Sequence, residues 1–306
     1  MERPDWTLGN GYQGLVLSTN CCHDKTLIAQ VNEIIRQLDF NDLYHYPNEY
    51  PLYQTLSNYH RIEDQRLAIG HGLSELIFRV IDIFKNQRIL IVRPTWRFME
   101  VACKLKNVSY STYEYQDFFR LNIDDIRELS KSHDVLYLAN PNGINGTVLD
   151  QNMVLDLCGS FSWAIIDEAY ADFSEIDCSI INHVPQNTLV LKTMSKSIAA
   201  AGLRMGYSIA NKSITSKIQQ LRPAGITNSF TEWLIPKIID HIPAHIERMK
   251  SVRKKIEQLH NLPSSQANFI LYPAGSLEFK VDAKLVHPDW HRLSLCDQET
   301  YDNIKK

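Results

Sequence analysis

The 306-residue chain predicts an α/β fold built on a mostly parallel central sheet, followed by a smaller α+β part. Two observations carry this. Short apolar runs suited to buried parallel strands recur at 88–92 (RILIV), 135–139 (VLYLA), 163–167 (WAIID), 188–193 (TLVLKT) and 206–210 (GYSIA). Strands covered on both faces need such near-continuous hydrophobic stretches. Between most of them lie segments with apolar residues at helical spacing behind a capping residue, starting at Ser74 (SELIFRVIDIFKN), Asn122 (NIDDIRELSK) and Asp150 (DQNMVLDLCG). Strands alternating with helices in this way build a parallel sheet, because parallel neighbours need a crossover between them.

Beyond about residue 215 the pattern changes. SITSKIQQLRP reads as a helix, and the long apolar-polar run from Phe230 to His260 reads as further helix, broken or bent near Pro236 and Pro243. Two strands follow, in ANFILYP and HRLSLC. A helix over 23–38 (HDKTLIAQVNEIIRQL) is placed to pack with this tail. The expected division is a large domain at 46–215 and a discontinuous, shortened small domain made of 1–45 and 216–306.

Composition narrows the function. Net charge is −3 with Lys+Arg and Asp+Glu nearly balanced, so neither a nucleic-acid partner nor a solvating acidic tail is expected. The opening MERPDWTLGNGYQG lacks the apolar run of a secretory leader, and no apolar stretch approaches membrane-spanning length. A cytoplasmic protein acting on small molecules, away from membranes, is expected. The six scattered cysteines form no C-x-x-C or His/Cys cluster, so no metal site is expected.

Four short stretches could carry chemistry. Lys196, in TMSKSIAAAGLRMG, follows a buried strand at the sheet edge where α/β proteins form their ligand crevice. A lysine there can form a Schiff base with a carbonyl, and its neighbouring hydroxyls with Arg204 suit a phosphate. Taken alone, it also reads as a solvated lysine at a helix start. Asp167 ends the apolar strand WAIID, where a carboxylate loses solvation and calls for a cation; a helix cap or structural ion pair is the alternative. In IGHGLSELI, Gly70 and Gly72 precede a helix whose N-terminus favours an anion, though two glycines also make a plain tight turn. ANPNGING (139–146) is a polar turn after another strand.

In combination and in order, these stretches resemble the fold-type-I pyridoxal-phosphate aminotransferases of class I/II, histidinol-phosphate aminotransferase and threonine-phosphate decarboxylase among them. TMSKSIAAAGLRMGY matches the family's Ser-Lys followed by Ala-Gly-Leu-Arg-x-Gly, and IIDEAYADF its Asp-Glu-Ala-Tyr-x-x-Phe. RPTWRFMEV and GHGLSELI match its Pro-Thr-aromatic and Gly-x-Gly-x-x-Glu runs. The resemblance implies a role for each residue. Lys196 would hold pyridoxal 5′-phosphate as a Schiff base and shuttle the substrate proton, Asp167 would pair with the pyridine nitrogen, and Tyr170 would bond the ring oxygen. Trp96 would stack on the ring. Gly72, Leu73, Ser74, Thr193, Ser195 and Arg204 would form the phosphate cup. Tyr46 would reach the phosphate of a neighbouring subunit, which implies a homodimer. Arg292 would take the substrate carboxylate, with a surface arginine as the rival reading, and Asn20 would line the substrate pocket.

The resemblance thins in two places. NPNGING puts Gly143 where the family places an asparagine amide against the ring oxygen, leaving Asn142 or Asn145 to substitute. LSTNCCHDKT keeps only Asn20 of the family's Asn-Glu-Asn-Pro. The expected activity is transfer of an amino group between an amino acid or amino phosphate and a 2-oxo acid. Decarboxylation of a phosphorylated amino acid and a non-catalytic cofactor-binding role stand as alternatives. A Rossmann dinucleotide site is not expected, since no G-x-G-x-x-G follows the first strand.

Overall fold

The computed structural model describes residues 17–275 and 283–304. The polar opening discussed above, and with it the first part of the expected 1–45 segment, lies outside them. Within the described residues ten strands run in chain order: β1 (Leu67–His71), β2 (Ile89–Arg93), β3 (Tyr110–Glu114), β4 (Val135–Ala139), β5 (Trp163–Asp167), β6 (Thr188–Thr193), β7 (Met205–Ile209), β8 (Phe269–Pro273), β9 (Lys284–His287) and β10 (Trp290–Ser294). The first seven form one sheet of order β1-β7-β6-β5-β4-β2-β3, and the last three a small antiparallel sheet of order β8-β10-β9.

From β6 across to β3 the large sheet is parallel. The stretch at 206–210, expected among the parallel strands, is antiparallel to both of its neighbours, with Thr193 opposite Gly206 and His71 opposite Met205. The reason is the short connection. Only the residues from Met194 to Arg204 separate β6 from β7, too few for the crossover that a parallel neighbour requires.

Alternate residues of the central strands feed cores on the two faces of the sheet. Leu136, Leu138, Ile166 and Val190 lie on one face; Val135, Tyr137, Ile165, Leu189 and Leu191 lie on the other. The helix expected from Ser74 spans Gly72–Ile83, and that expected from Asp150 spans Gln151–Ser160 with Asp150 accepting from the Met153 N–H as its cap. The C-terminal helical run divides as Ser229–Ile238 and Ile242–His260, around a single 3₁₀ turn. Pro243 starts the second helix, where its missing N–H costs nothing, while Pro236 stays inside the first. Among the described residues no helix is long and apolar enough to cross a membrane.

Glu257, buried on the Ile242–His260 helix, accepts from the Ser265 N–H at 2.8 Å and lies 3.9 Å from Arg253. Burial outweighs both, and its carboxyl is pushed up to about 7 from 4.5. A carboxyl raised in the folded state stabilises the fold below its unfolded value and loses that contribution as pH rises through the folded one. Wild-type stability is therefore expected to fall by about 2 kcal/mol between pH 5 and pH 8 through this group. Glu257→Gln should flatten that slope in denaturant titrations at the two pH values.

Candidate active site

Register brings the four sequence stretches to one edge of the sheet. β4 ends at Ala139 opposite Asp167, the end of β5; β6 ends at Thr193, opposite Gly206 near the start of β7; and β1 ends at His71 opposite Met205. The loops leaving that edge carry Gly72, Asn142, Tyr170, Lys196 and Arg204.

Asp167 is 6% exposed. One carboxylate oxygen accepts from the Tyr137 hydroxyl at 2.8 Å and the other from the Ala169 N–H at 3.0 Å. Among the described residues it forms no ion pair. Burial pushes its carboxyl up, against those two hydrogen bonds and the charges of Lys196 and Lys192. The result is a buried acid that still lacks its cation.

Lys196 sits in the single helical turn Met194–Ser197, which Thr193 caps by accepting from the Ser195 N–H. Its amine donates to the Thr19 carbonyl at 2.9 Å and lies 6.0 Å from the centre of the Tyr170 ring. The Thr193 hydroxyl donates to the Met205 carbonyl, tying the two strands together beneath it. Ser195 is buried and Lys196 half-buried.

At the start of the Gly72–Ile83 helix, Gly72 has φ +72, and a Cβ there would overlap the Arg204 guanidinium. Only glycine allows both that conformation and that approach. Arg204 thereby rests against a helix N-terminus whose first residues are Gly72, Leu73 and Ser74. Free N–H groups, the positive end of the helix and a guanidinium together make an anion site. Trp96 is 40% exposed and stacked on Phe98, with centroids 4.9 Å apart. Tyr46 stands apart from this cluster, 96% exposed between two helices.

A strap formed by residues 17–24 closes the other side. Ser18 and Thr19 offer their carbonyls to Arg292 (3.2 Å) and Lys196, and Asn20 donates to the Tyr170 hydroxyl at 2.9 Å. The strap is held at its end by Asp24, which accepts from Arg248 at 2.7 Å and is paired with His245 at 2.8 Å. Burial pushes the Asp24 carboxyl up, but those two partners prevail and hold it well below the usual range. Arg292 is only 7% exposed, which removes the surface reading. It donates to the carbonyls of Gly143 (2.6 Å) and Ser18, and burial pushes its guanidinium down. No carboxylate among the described residues pairs with it.

At Gly143 a Cβ would come within 2.5 Å of the Tyr170 ring, so the tyrosine occupies the space over this glycine. Asn142 and Asn145 spend their amide oxygens on this loop and their amide N–H groups on two neighbouring loops. Asn142 donates to the Pro94 carbonyl and accepts from Ile144 and Asn145 N–H groups; Asn145 donates to Phe118 and accepts from Thr147.

Several residues were not singled out in the sequence. Tyr137 is one. Lys192 is another, fully buried and 3.0 Å from Asp172 and 3.8 Å from Glu168. The signal for Lys192 was a lysine inside the apolar run TLVLKT, with two acids waiting in DEAYAD; a buried lysine needs such partners.

The donor set fits pyridoxal phosphate. Asp167, buried and without an ion pair among the described residues, suits a protonated pyridine nitrogen; the Gly72 helix start with Arg204 suits the phosphate; and Lys196 presents an amine at the same sheet edge. When bound, the cofactor supplies a ring that accepts electrons from the substrate Cα.

Comparisons with known proteins agree. The family model for aminotransferases of class I and II matches residues 12–263. Histidinol-phosphate aminotransferase of Pyrococcus furiosus is 27% identical over 268 residues, covering 85% of this chain and 78% of the relative. The structure of histidinol-phosphate aminotransferase from Clostridium acetobutylicum superposes with a TM-score of 0.78 at 23% identity, over 95% of this chain and 96% of that one. L-threonine-O-3-phosphate decarboxylase from Porphyromonas gingivalis superposes with a TM-score of 0.77 at 17% identity, over 94% and 96%. The chain belongs to the class I and II aminotransferases, pyridoxal-phosphate enzymes that pass an amino group from a donor to a 2-oxo acid.

Proposed function

We propose that Lys196, Asp167, Tyr170, Arg204 and Arg292 carry the transfer, with an amino acid or amino phosphate as donor. The observation that supports this best is Arg292: a buried guanidinium without a carboxylate partner among the described residues, joined through Gly143 and the strap to Tyr170 and Lys196. A positive charge kept unpaired inside a protein suits a ligand carboxylate, which a guanidinium grips with two parallel bonds. The Lys196 amine would take the proton from the substrate Cα and deliver it to the cofactor carbon on the other side of the substrate nitrogen. Asp167 and Arg204 would hold the ring nitrogen and the phosphate of the cofactor, with the Leu73 and Ser74 N–H groups, Thr193 and Ser195 also serving the phosphate and Trp96 the ring. Asn20 orients the Tyr170 hydroxyl toward the ring oxygen, while Asn142 shapes the loop under it.

Two further parts belong to the same reading. A run of exposed aromatics, Phe40, Tyr44, Tyr46 and Tyr50, supports a homodimer in which Tyr46 reaches the partner's phosphate site. The large unit at 46–215 would carry the cofactor, and the segments on either side of it would form the small domain.

Holoenzyme incubated with a panel of amino acids and amino phosphates, histidinol phosphate first, together with 2-oxo acids, is expected to form an oxo product and an amino acid stoichiometrically. Release of carbon dioxide without an oxo product would overturn transamination. In the same assay Arg292→Lys should raise KM for the 2-oxo acid about tenfold or more, because an ammonium cannot reproduce the fork. An unchanged KM would remove Arg292 from the site.

A further inference from the structure

We propose that Tyr137 is a positioning residue of this enzyme, its hydroxyl holding the Asp167 carboxylate in the charged form that grips the cofactor's ring nitrogen. The inference rests on the reading that Asp167 pairs with that nitrogen.

Tyr137 lies in the middle of β4 and is fully buried among Ile91, Ile165 and Leu191. In the parallel register it stands opposite Ile165, two residues below Asp167, on the same face of the sheet. A tyrosine is long enough to span that diagonal, and its hydroxyl donates to Asp167 at 2.8 Å. A polar group placed in an apolar layer is costly unless it is used, and here its partner is the acid at the sheet edge. The hydroxyl keeps its proton, because burial and the neighbouring Asp167 charge push Tyr137 well above its ordinary value. It is therefore a fixed donor, and a hydrogen bond to the charged form favours that form.

Each oxygen of Asp167 accepts one bond, from Tyr137 and from Ala169. A carboxylate has about four acceptor sites, so room is left for the ring N–H. The other groups that act on this carboxylate are Lys196 and Lys192, both cations, while Tyr170 acts on the Tyr137 hydroxyl. Substituting Tyr137 leaves them in place. Without the hydroxyl, Asp167 would hold its proton to higher pH, and an acid holding a proton cannot pair with a protonated ring.

The test is cofactor binding as a function of pH. Pyridoxal phosphate retained by Tyr137→Phe is measured by absorbance after equilibrium dialysis, beside wild type, Asp167→Asn and the double variant. In Tyr137→Phe the acid-side midpoint of binding should move up by about one pH unit, the equivalent of one hydrogen bond to a charged group, while affinity on the alkaline plateau stays at the wild-type level. In the Asp167→Asn background, where position 167 no longer titrates, the same substitution should leave the midpoint unmoved. A merely structural role would lower the plateau or shift both backgrounds alike, and either result overturns the proposal, as does a midpoint that does not move in Tyr137→Phe. If Asp167→Asn by itself binds cofactor as wild type does at every pH, the assignment of Asp167 fails and the role of Tyr137 fails with it. Thermal unfolding of the cofactor-free variants confirms that each is folded.

Discussion

Lys196→Ala is expected to lose turnover by about 10²–10⁴-fold, the contribution of a positioned proton-transfer group. Among the described residues the amine makes one hydrogen bond, to the Thr19 carbonyl, and it lies over the Tyr170 ring. It is thus placed by the strap while keeping two donor positions for other partners. The groups proposed to hold the cofactor, Asp167 and Arg204 at the helix start, are positioned by hydrogen bonds to Tyr137, Ala169 and Ala201 and not by Lys196. The variant should therefore still bind pyridoxal phosphate, and purify folded, while failing to convert donor to oxo acid. Lys196→Arg should be as inactive, because a guanidinium does not release its proton in a protein. Two measurements check this: single-turnover formation of the oxo product, and mass spectrometry after borohydride treatment. The wild-type peptide containing Lys196 should gain the mass of the cofactor less one water plus two hydrogens, and neither variant should. Wild-type turnover in Lys196→Ala would remove the lysine from the chemistry.

How much of this was legible in the sequence depended on where each signal lay. β4, β5 and β6 announce themselves as apolar runs because both of their faces are covered, and their ends match the structure to the residue. β3, YSTYE, lies at the sheet edge and exposes three of its five residues, so no apolar pattern marks it. β1, LAIGH, ends in a glycine and a histidine because it runs into the anion site, and those residues broke the strand signal while marking the loop. The orientation of β7 was not in its composition at all; it followed from the length of the connection. Within the site, residues on loops at the sheet edge could be found by residue type and order. Tyr137 could not, since a tyrosine in a buried strand looks like core until its hydroxyl is seen against Asp167. The Gly143 question was posed by the sequence and answered in space, where Tyr170 covers the glycine and both nearby asparagines are committed to backbone carbonyls of neighbouring loops.

Arg204→Gly is expected to separate cofactor affinity from stability. Arg204 has φ +52, a left-handed conformation that costs a non-glycine residue about 1 kcal/mol or more. It is held there as the end of a 3₁₀ turn, its N–H on the Ala201 carbonyl, so that its guanidinium meets Gly72 at the helix start. Two left-handed residues facing each other make sense only if the charge between them is needed, because the fold by itself would prefer glycine at position 204. The cofactor-free Arg204→Gly protein should thus be more stable than Arg204→Ala by about 1 kcal/mol, since glycine adopts that backbone freely and alanine does not. Both should bind pyridoxal phosphate about 10–100-fold more weakly than wild type, the loss of a guanidinium–phosphate contact. Gly72→Val attacks the same contact from the opposite side: a branched side chain both resists φ +72 and displaces the guanidinium. It should match the affinity loss of Arg204→Ala and add a stability loss of its own. Isothermal titration with pyridoxal phosphate and denaturant unfolding of the cofactor-free proteins measure the two quantities independently. Equal stability of Arg204→Gly and Arg204→Ala would show that the left-handed turn stores no strain. Undiminished affinity in both would move the phosphate away from Arg204.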